Sequence, residues 1–233
     1  MKLRDAVLVL FLILSSNIVF CQQRVVALTF DDGPNPKFLE KALPYFESQD
    51  IQVTFFVIGG QAKQYPELIA KESEAGHEIE NHTFGHVCLV KPGPKWTGCR
   101  EIALEGAIQQ LTMTNNFVRL ITGYSPVYVR PPYFAMTKER ADEIYSILGM
   151  KVIEHGADSI GSLDWVYNSP EKIVAQVKKV VTGRGMKSCI IVFHETVPTF
   201  EALPQIVDFF KDNGYIFVRL FKFEQMKKRG GLK

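Results

Sequence analysis

The 233-residue chain has no dominant charge sign: 27 Lys and Arg stand against 25 Asp and Glu, a formal net charge of +2. No basic block with interleaved aromatics occurs before the short Lys227-Lys228-Arg229 tail. That tail reads as a solvated C-terminus, so nucleic acid is not an expected partner. No linker, repeat or low-complexity tract divides the chain, and a single α/β domain over residues 23–233 suits its length. Long apolar runs are also missing. The stretch over residues 6–14 is broken by Ser15-Ser16-Asn17 and is too short for a membrane span. Cysteine is scarce, with four in the chain. Cys189, beside Ile190-Ile191-Val192, reads as a buried apolar residue. Cys88 and Cys99 flank a Pro- and Gly-rich segment and are expected to form a disulfide if the protein is exported.

The first residues do carry a signal. Lys2 and Arg4 precede the apolar run, and small or polar residues follow it, which is the order of a secretory leader. Residues 1–22 are therefore expected to be a signal peptide, with export to the periplasm or exterior. Cleavage near Cys21-Gln22 is preferred over a lipid anchor at Cys21, because Phe20 is bulky for the position before a lipidated cysteine.

Short β-rich runs alternate with amphipathic stretches over the remaining chain. Strands are predicted at 25–30, 53–58, 77–81, 127–130, 151–154, 189–194 and 216–220. Helices are predicted at 38–49, 61–75, 100–121, 138–148, 170–182 and 200–213. Gly76, Gly149 and Gly214 stand where left-handed C-cap residues are expected, and Thr137 and Ser169-Pro170 stand at helix starts. This order implies a mostly parallel sheet with helices outside; periodicity leaves a closed barrel and an open sheet both available.

Such folds place their sites at the carboxyl ends of strands. Asp31-Asp32, His82, Arg130, Asp164-Trp165 and His194 all fall there. Neighbouring residues leaving a strand point apart, so one of Asp31 and Asp32 can bind a metal while the other handles protons. His82 and His86, four apart, share a face of a helical turn and can chelate one ion, with positions left open for water and substrate. Arg130 precedes two prolines, which leave the Tyr133 N–H as the next backbone donor, and its guanidinium can hold a carboxylate. His194 ends an apolar strand, where an imidazolium can protonate a leaving amine. Taken singly, each motif has an ordinary structural reading: a surface turn, a solvated histidine pair, a rigid loop, a capped core histidine.

Taken in order, Thr29-Phe30-Asp31-Asp32-Gly33-Pro34, His82-Thr83-Phe84-Gly85-His86, Arg130-Pro131-Pro132-Tyr133, Asp164-Trp165 and Val192-Phe193-His194 resemble the motifs of the polysaccharide deacetylases of carbohydrate esterase family 4, the NodB-homology family. The resemblance implies a distorted seven-stranded (β/α) barrel and hydrolysis of N-acetyl groups on a carbohydrate. It implies Asp31 as general base, Arg130 as its orienting partner and His194 as general acid. Asp32, His82 and His86 would hold a divalent metal, most often zinc. Among substrate-binding positions, the Tyr133 N–H would stabilise the oxyanion, Trp165 and Val192 would line the acetyl pocket, and Asp164 belongs to the same group. Four positions depart from the family's usual pattern: Glu195 for Asp, Phe134 for Gly, Glu80 for Gly, and Gly161 where an Asp usually tunes the acid histidine. Asp158 and Asp164 are both available for that last role. The departures also keep two other classes open: a sugar-binding pseudoenzyme, and a metal hydrolase of another ester or non-sugar amide.

Overall fold

In β1 (Arg24–Gly33) the residues Val25, Ala27, Thr29 and Asp31 alternate with Val26, Leu28 and Phe30, and none is more than 3% exposed. Burial on both faces is the pattern of a parallel strand covered on both sides. The computed structural model describes residues 23–90 and 102–232. The expected leader, and Cys99 of the expected disulfide, lie outside the described residues.

After β1 come α1 (Pro36–Gln49), β2 (Thr54–Val57), α2 (Gly59–Gln64), α3 (Pro66–Glu74), β3 (Glu78–Asn81), α4 (Leu104–Thr122), β4 (Tyr128–Val129) and α5 (Lys138–Leu148). Then follow β5 (Lys151–Val152), β6 (Ser159–Gly161), α6 (Pro170–Gly183), β7 (Ser188–His194), α7 (Val197–Asp212), β8 (Tyr215–Phe217) and α8 (Leu220–Lys228). All strand pairs are parallel, in the order β5-β4-β3-β2-β1-β7-β6. β5 and β6 end that order without pairing to each other, so the barrel is distorted and open on that side. β7 runs along one edge of β1 from Val25 to Asp31. The other edge is shared, with β8 on residues 24–26 and β2 on residues 29–33.

One face of the strands builds the main core with the helices: Val26, Leu28, Phe30, Phe55, Ile79, Ile191 and Phe193 pack against Phe38, Phe46 and Phe210. The inner face is mixed. Its lower part holds Val25, Ala27, Phe56, Tyr128 and Ile190, with Leu220 and Phe223 of α8 plugging the end. Its upper part carries Asp31, His82, Arg130 and His194. The register sets Asp31 beside His194 and Asn81 beside Val129, so the chemistry-bearing strand ends arrive at one rim.

Helix boundaries follow local chemistry. Thr137 and Ser169 cap α5 and α6 as expected, and Gly76, Gly149 and Gly214 adopt positive φ at the expected helix ends. The helix predicted at 61–75 is two helices, because Pro66 has no N–H to continue α2 and instead opens α3. β6, three residues long, was not predicted; so short a strand carries no readable periodicity. The last predicted strand is shorter than expected, and Leu220 instead begins α8. No side chain of its own N-cap residue, Arg219, caps that helix. Thr54 Oγ1 accepts the Leu220 N–H at 2.9 Å and Glu78 Oε2 accepts the Phe221 N–H at 3.0 Å. Glu80, one of the departures, accepts the N–H groups of Val127 and Tyr128 at 2.9 and 2.7 Å and so anchors the entry to β4. Among the described residues, no helix is long and apolar enough to cross a membrane.

Candidate active site

The rim of the barrel encloses an open cleft of about 380 Å3, whose walls include Asp31, Asp32, His82, His86, Trp165 and His194. That volume lies within the range of small-molecule sites.

Asp32 is thrust out of β1. Its φ is 71°, and the β1–β2 register shifts between Asp31 and Gly33. The bulge turns its carboxylate toward two imidazoles, with Oδ1 3.2 Å from both His82 Nε2 and His86 Nε2. His82 is held from behind: its Nδ1 lies 2.7 Å from the Arg130 carbonyl oxygen, which can only accept, so Nδ1 carries the hydrogen and Nε2 presents a lone pair. Asp32 Oδ1 is buried without a hydrogen-bond donor. One carboxylate oxygen and two imidazole nitrogens converging in this way fit a divalent cation with three protein ligands.

Two further titratable groups, Asp31 and His194, line the cleft with that set. Asp31 is 3% exposed, and its Oδ1 accepts from Arg130 Nη1 at 2.7 Å. The same Arg130 nitrogen donates to Thr29 Oγ1 at 2.8 Å, and the guanidinium lies 4.1 Å from the centre of the Phe56 ring. The base candidate is therefore locked to a buried cation.

On the neighbouring strand, His194 Nδ1 lies 2.8 Å from Asp164 Oδ1, and the His194 backbone N–H donates to Asp164 Oδ2 at 2.6 Å. Thr199 Oγ1 donates to the same carboxylate at 2.7 Å. The carboxylate is acceptor-only, so His194 Nε2 is the nitrogen facing the cleft, 4.0 Å from Asp32 Oδ2. Burial pulls the imidazole down, but the hydrogen bond and charge of Asp164, with Asp31 and Asp32 behind them, outweigh it and push the ring up to about 9.

Of the two carboxylates open as the partner of His194, Asp164 fills the role. Asp158 instead pairs with Lys227 of the C-terminal basic tail. The Asp164 side chain is fully buried against His194. Val192 is likewise fully buried, two residues below His194 on the same strand face. Tyr133 and Trp165 do line the cleft, 39% and 51% exposed, and Trp165 meets the His194 ring edge-on.

Pro131, Phe134 and Thr196 line the cleft as well, although none of them is a site residue expected from the sequence. Phe134 adopts φ 53°, a region glycine enters freely, which accounts for the glycine usual at this position. Its ring stands 5.8 Å from the Arg130 guanidinium. Glu195 is buried as well, and burial together with the charges of Asp31 and Asp32 pushes its carboxyl up to about 8.

The chain is similar to known proteins over most of its length. Peptidoglycan-N-acetylmuramic acid deacetylase PdaC of Bacillus subtilis is 30% identical over 89% of this chain and 40% of its own length. Peptidoglycan-N-acetylglucosamine deacetylase PgdA of Listeria monocytogenes is 31% identical over 84% of this chain and 38% of its own. The chain thus spans about two fifths of the length of these curated relatives. The solved structure of peptidoglycan deacetylase PdaC from Bacillus subtilis superposes with a TM-score of 0.72 at 29% identity, covering 89% of this chain and 93% of that one. The family model for polysaccharide deacetylase matches residues 21–153, more than half of the sequence. By that match, this chain belongs to the polysaccharide deacetylase family.

Proposed function

We propose that the chain is a metal-dependent hydrolase that removes N-acetyl groups from an exported glycan of the peptidoglycan type. The observation that carries the reading is that Asp31 and His194 share one cleft with the Asp32, His82 and His86 set, each locked by its own buried partner. Sugar binding alone requires neither an oriented base nor an oriented acid. The expected leader over residues 1–22 would bring the domain to such a glycan, and the relatives' names point to the same substrate class.

Asp32, His82 and His86 would hold the cation, most often zinc in this family. A divalent ion there supplies Lewis-acid activation of water and stabilises charge developing on the acetamide oxygen. Asp31, oriented by Arg130, takes the proton of the attacking water as the water oxygen bonds the acetamide carbon. The Tyr133 N–H is assigned to the developing oxyanion. His194, protonated at neutral pH because Asp164 stabilises the imidazolium, gives its Nε2 proton to the amine as the carbon–nitrogen bond breaks. Acetate and a free amino sugar result. The exposed rings of Trp165 and Tyr133 offer flat apolar faces to the sugar beside the reacting group.

Acetate released from peptidoglycan and from N-acetylglucosamine oligomers, measured with and without a chelator, tests the reading. Release is expected on at least one glycan, abolished by the chelator and restored by added zinc. No release from any glycan by zinc-loaded protein would refute the assignment.

A further inference from the structure

Glu195 follows the acid histidine, is 4% exposed and is not part of the cleft wall. Its bonds all go to the segment that carries Asp32. The Glu195 N–H donates to the Asp31 carbonyl at 3.3 Å. Its Oε2 accepts the Asn35 N–H at 2.6 Å, and its own carbonyl accepts from Asn35 Nδ2 at 3.0 Å. Asn35 is itself fixed, because its Oδ1 caps α1 by accepting from Lys37 and Phe38. Between these anchors lies Asp32 with φ 71°, a left-handed conformation that a non-glycine residue keeps only when its surroundings impose it. The contact is close on the other side too: a Cβ on residue 33 would stand 1.7 Å from Glu195 Oε1, so Gly33 leaves the space that the Glu195 carboxyl fills.

We propose that Glu195 is a positioning residue for the metal site, holding residues 31–35 so that the bulged Asp32 carboxylate meets His82 and His86. The proposal rests on the reading of Asp32 as a metal ligand. It accounts for a glutamate at this place: one more methylene than aspartate lets the carboxyl reach across Gly33 to the Asn35 N–H.

Calorimetric zinc titration of the whole protein and of Glu195→Ala, Glu195→Asp and Glu195→Gln tests it, with melting curves confirming that each variant is folded. Glu195→Ala is expected to weaken zinc binding by about 10–100-fold, the usual effect of removing a group that supports a ligand. Glu195→Asp, too short to reach Asn35, is expected to lose about tenfold. Glu195→Gln keeps the length and an oxygen for the Asn35 N–H, and is expected to restore affinity to within about threefold of the natural protein. Should Glu195→Ala not fold, the Asp and Gln variants still decide. Natural zinc affinity in the folded Ala or Asp variants overturns the positioning role while leaving the metal reading intact. Failure of the natural protein to bind zinc overturns both.

Discussion

Replacing Asp31 by Asn is expected to lower deacetylation turnover by about 10²–10⁴-fold, the usual contribution of a positioned proton-transfer group, while zinc stays bound. Asparagine has the same shape, and its amide oxygen can still accept from Arg130 Nη1, which sits 2.7 Å from Asp31 Oδ1. It cannot take a proton from water. Asp31 belongs outside the ligand set, because its carboxylate is turned to Arg130 and not to the two histidines. The substitution also leaves Arg130, fully buried, without its ionic partner. Loss of one member of a buried pair typically destabilises by about 3–5 kcal/mol, so a lower melting temperature is expected alongside the lost activity. Turnover per folded, zinc-loaded molecule separates the two effects. Natural turnover in that state would remove Asp31 from the role of base.

His194→Ala is expected to have a comparable effect on an acetamide, for a different reason. The amine leaves only after gaining a proton, and His194 Nε2 is the nitrogen presented to the cleft by the Asp164 hydrogen bond on Nδ1. An ester with a good leaving group needs no such proton. The penalty on that ester is therefore expected to be clearly smaller than the 10²–10⁴-fold loss on the amide. Asp31→Asn, which impairs the attack common to both, is expected to damage both substrates. Steady-state rates of both variants on both substrates check this contrast. Equal losses on amide and ester for His194→Ala would contradict the acid role.

The motifs were legible because they sit where strands end, and strand ends are readable when the strand is long. β1 and β7 carry continuous apolar runs, and from these the rim positions of Asp31 and His194 follow by counting. The break at Pro66 was available from the sequence as well, but the apolar periodicity runs through it and masks it. β6 and the start of α8 were less legible. The first is three residues long, and the second is capped by Thr54 and Glu78, far away in the chain. Asp164 and Asp158 could not be told apart by spacing, since the choice depends on which one the β6–β7 pairing brings under His194. Strain was least legible of all. Asp32, His86, Tyr133 and Phe134 all take positive φ on the wall of this one cleft. No residue type among them announces it, because tertiary packing imposes the conformation. Glu195 stood out in the sequence only as a departure, and its partners Gly33 and Asn35 became visible once the two strands were side by side.

Activity is expected to depend on a metal held by Asp32, His82 and His86. Zinc content of the purified natural protein and of a folded His82→Ala variant, measured on the same samples as acetate release, tests it most directly. The natural protein is expected to retain zinc and release acetate. The variant is expected to lose both, because only Asp32 and His86 remain as ligands and the Asp32 bulge faces an empty position. Equal zinc content and equal acetate release in the two proteins would contradict the account.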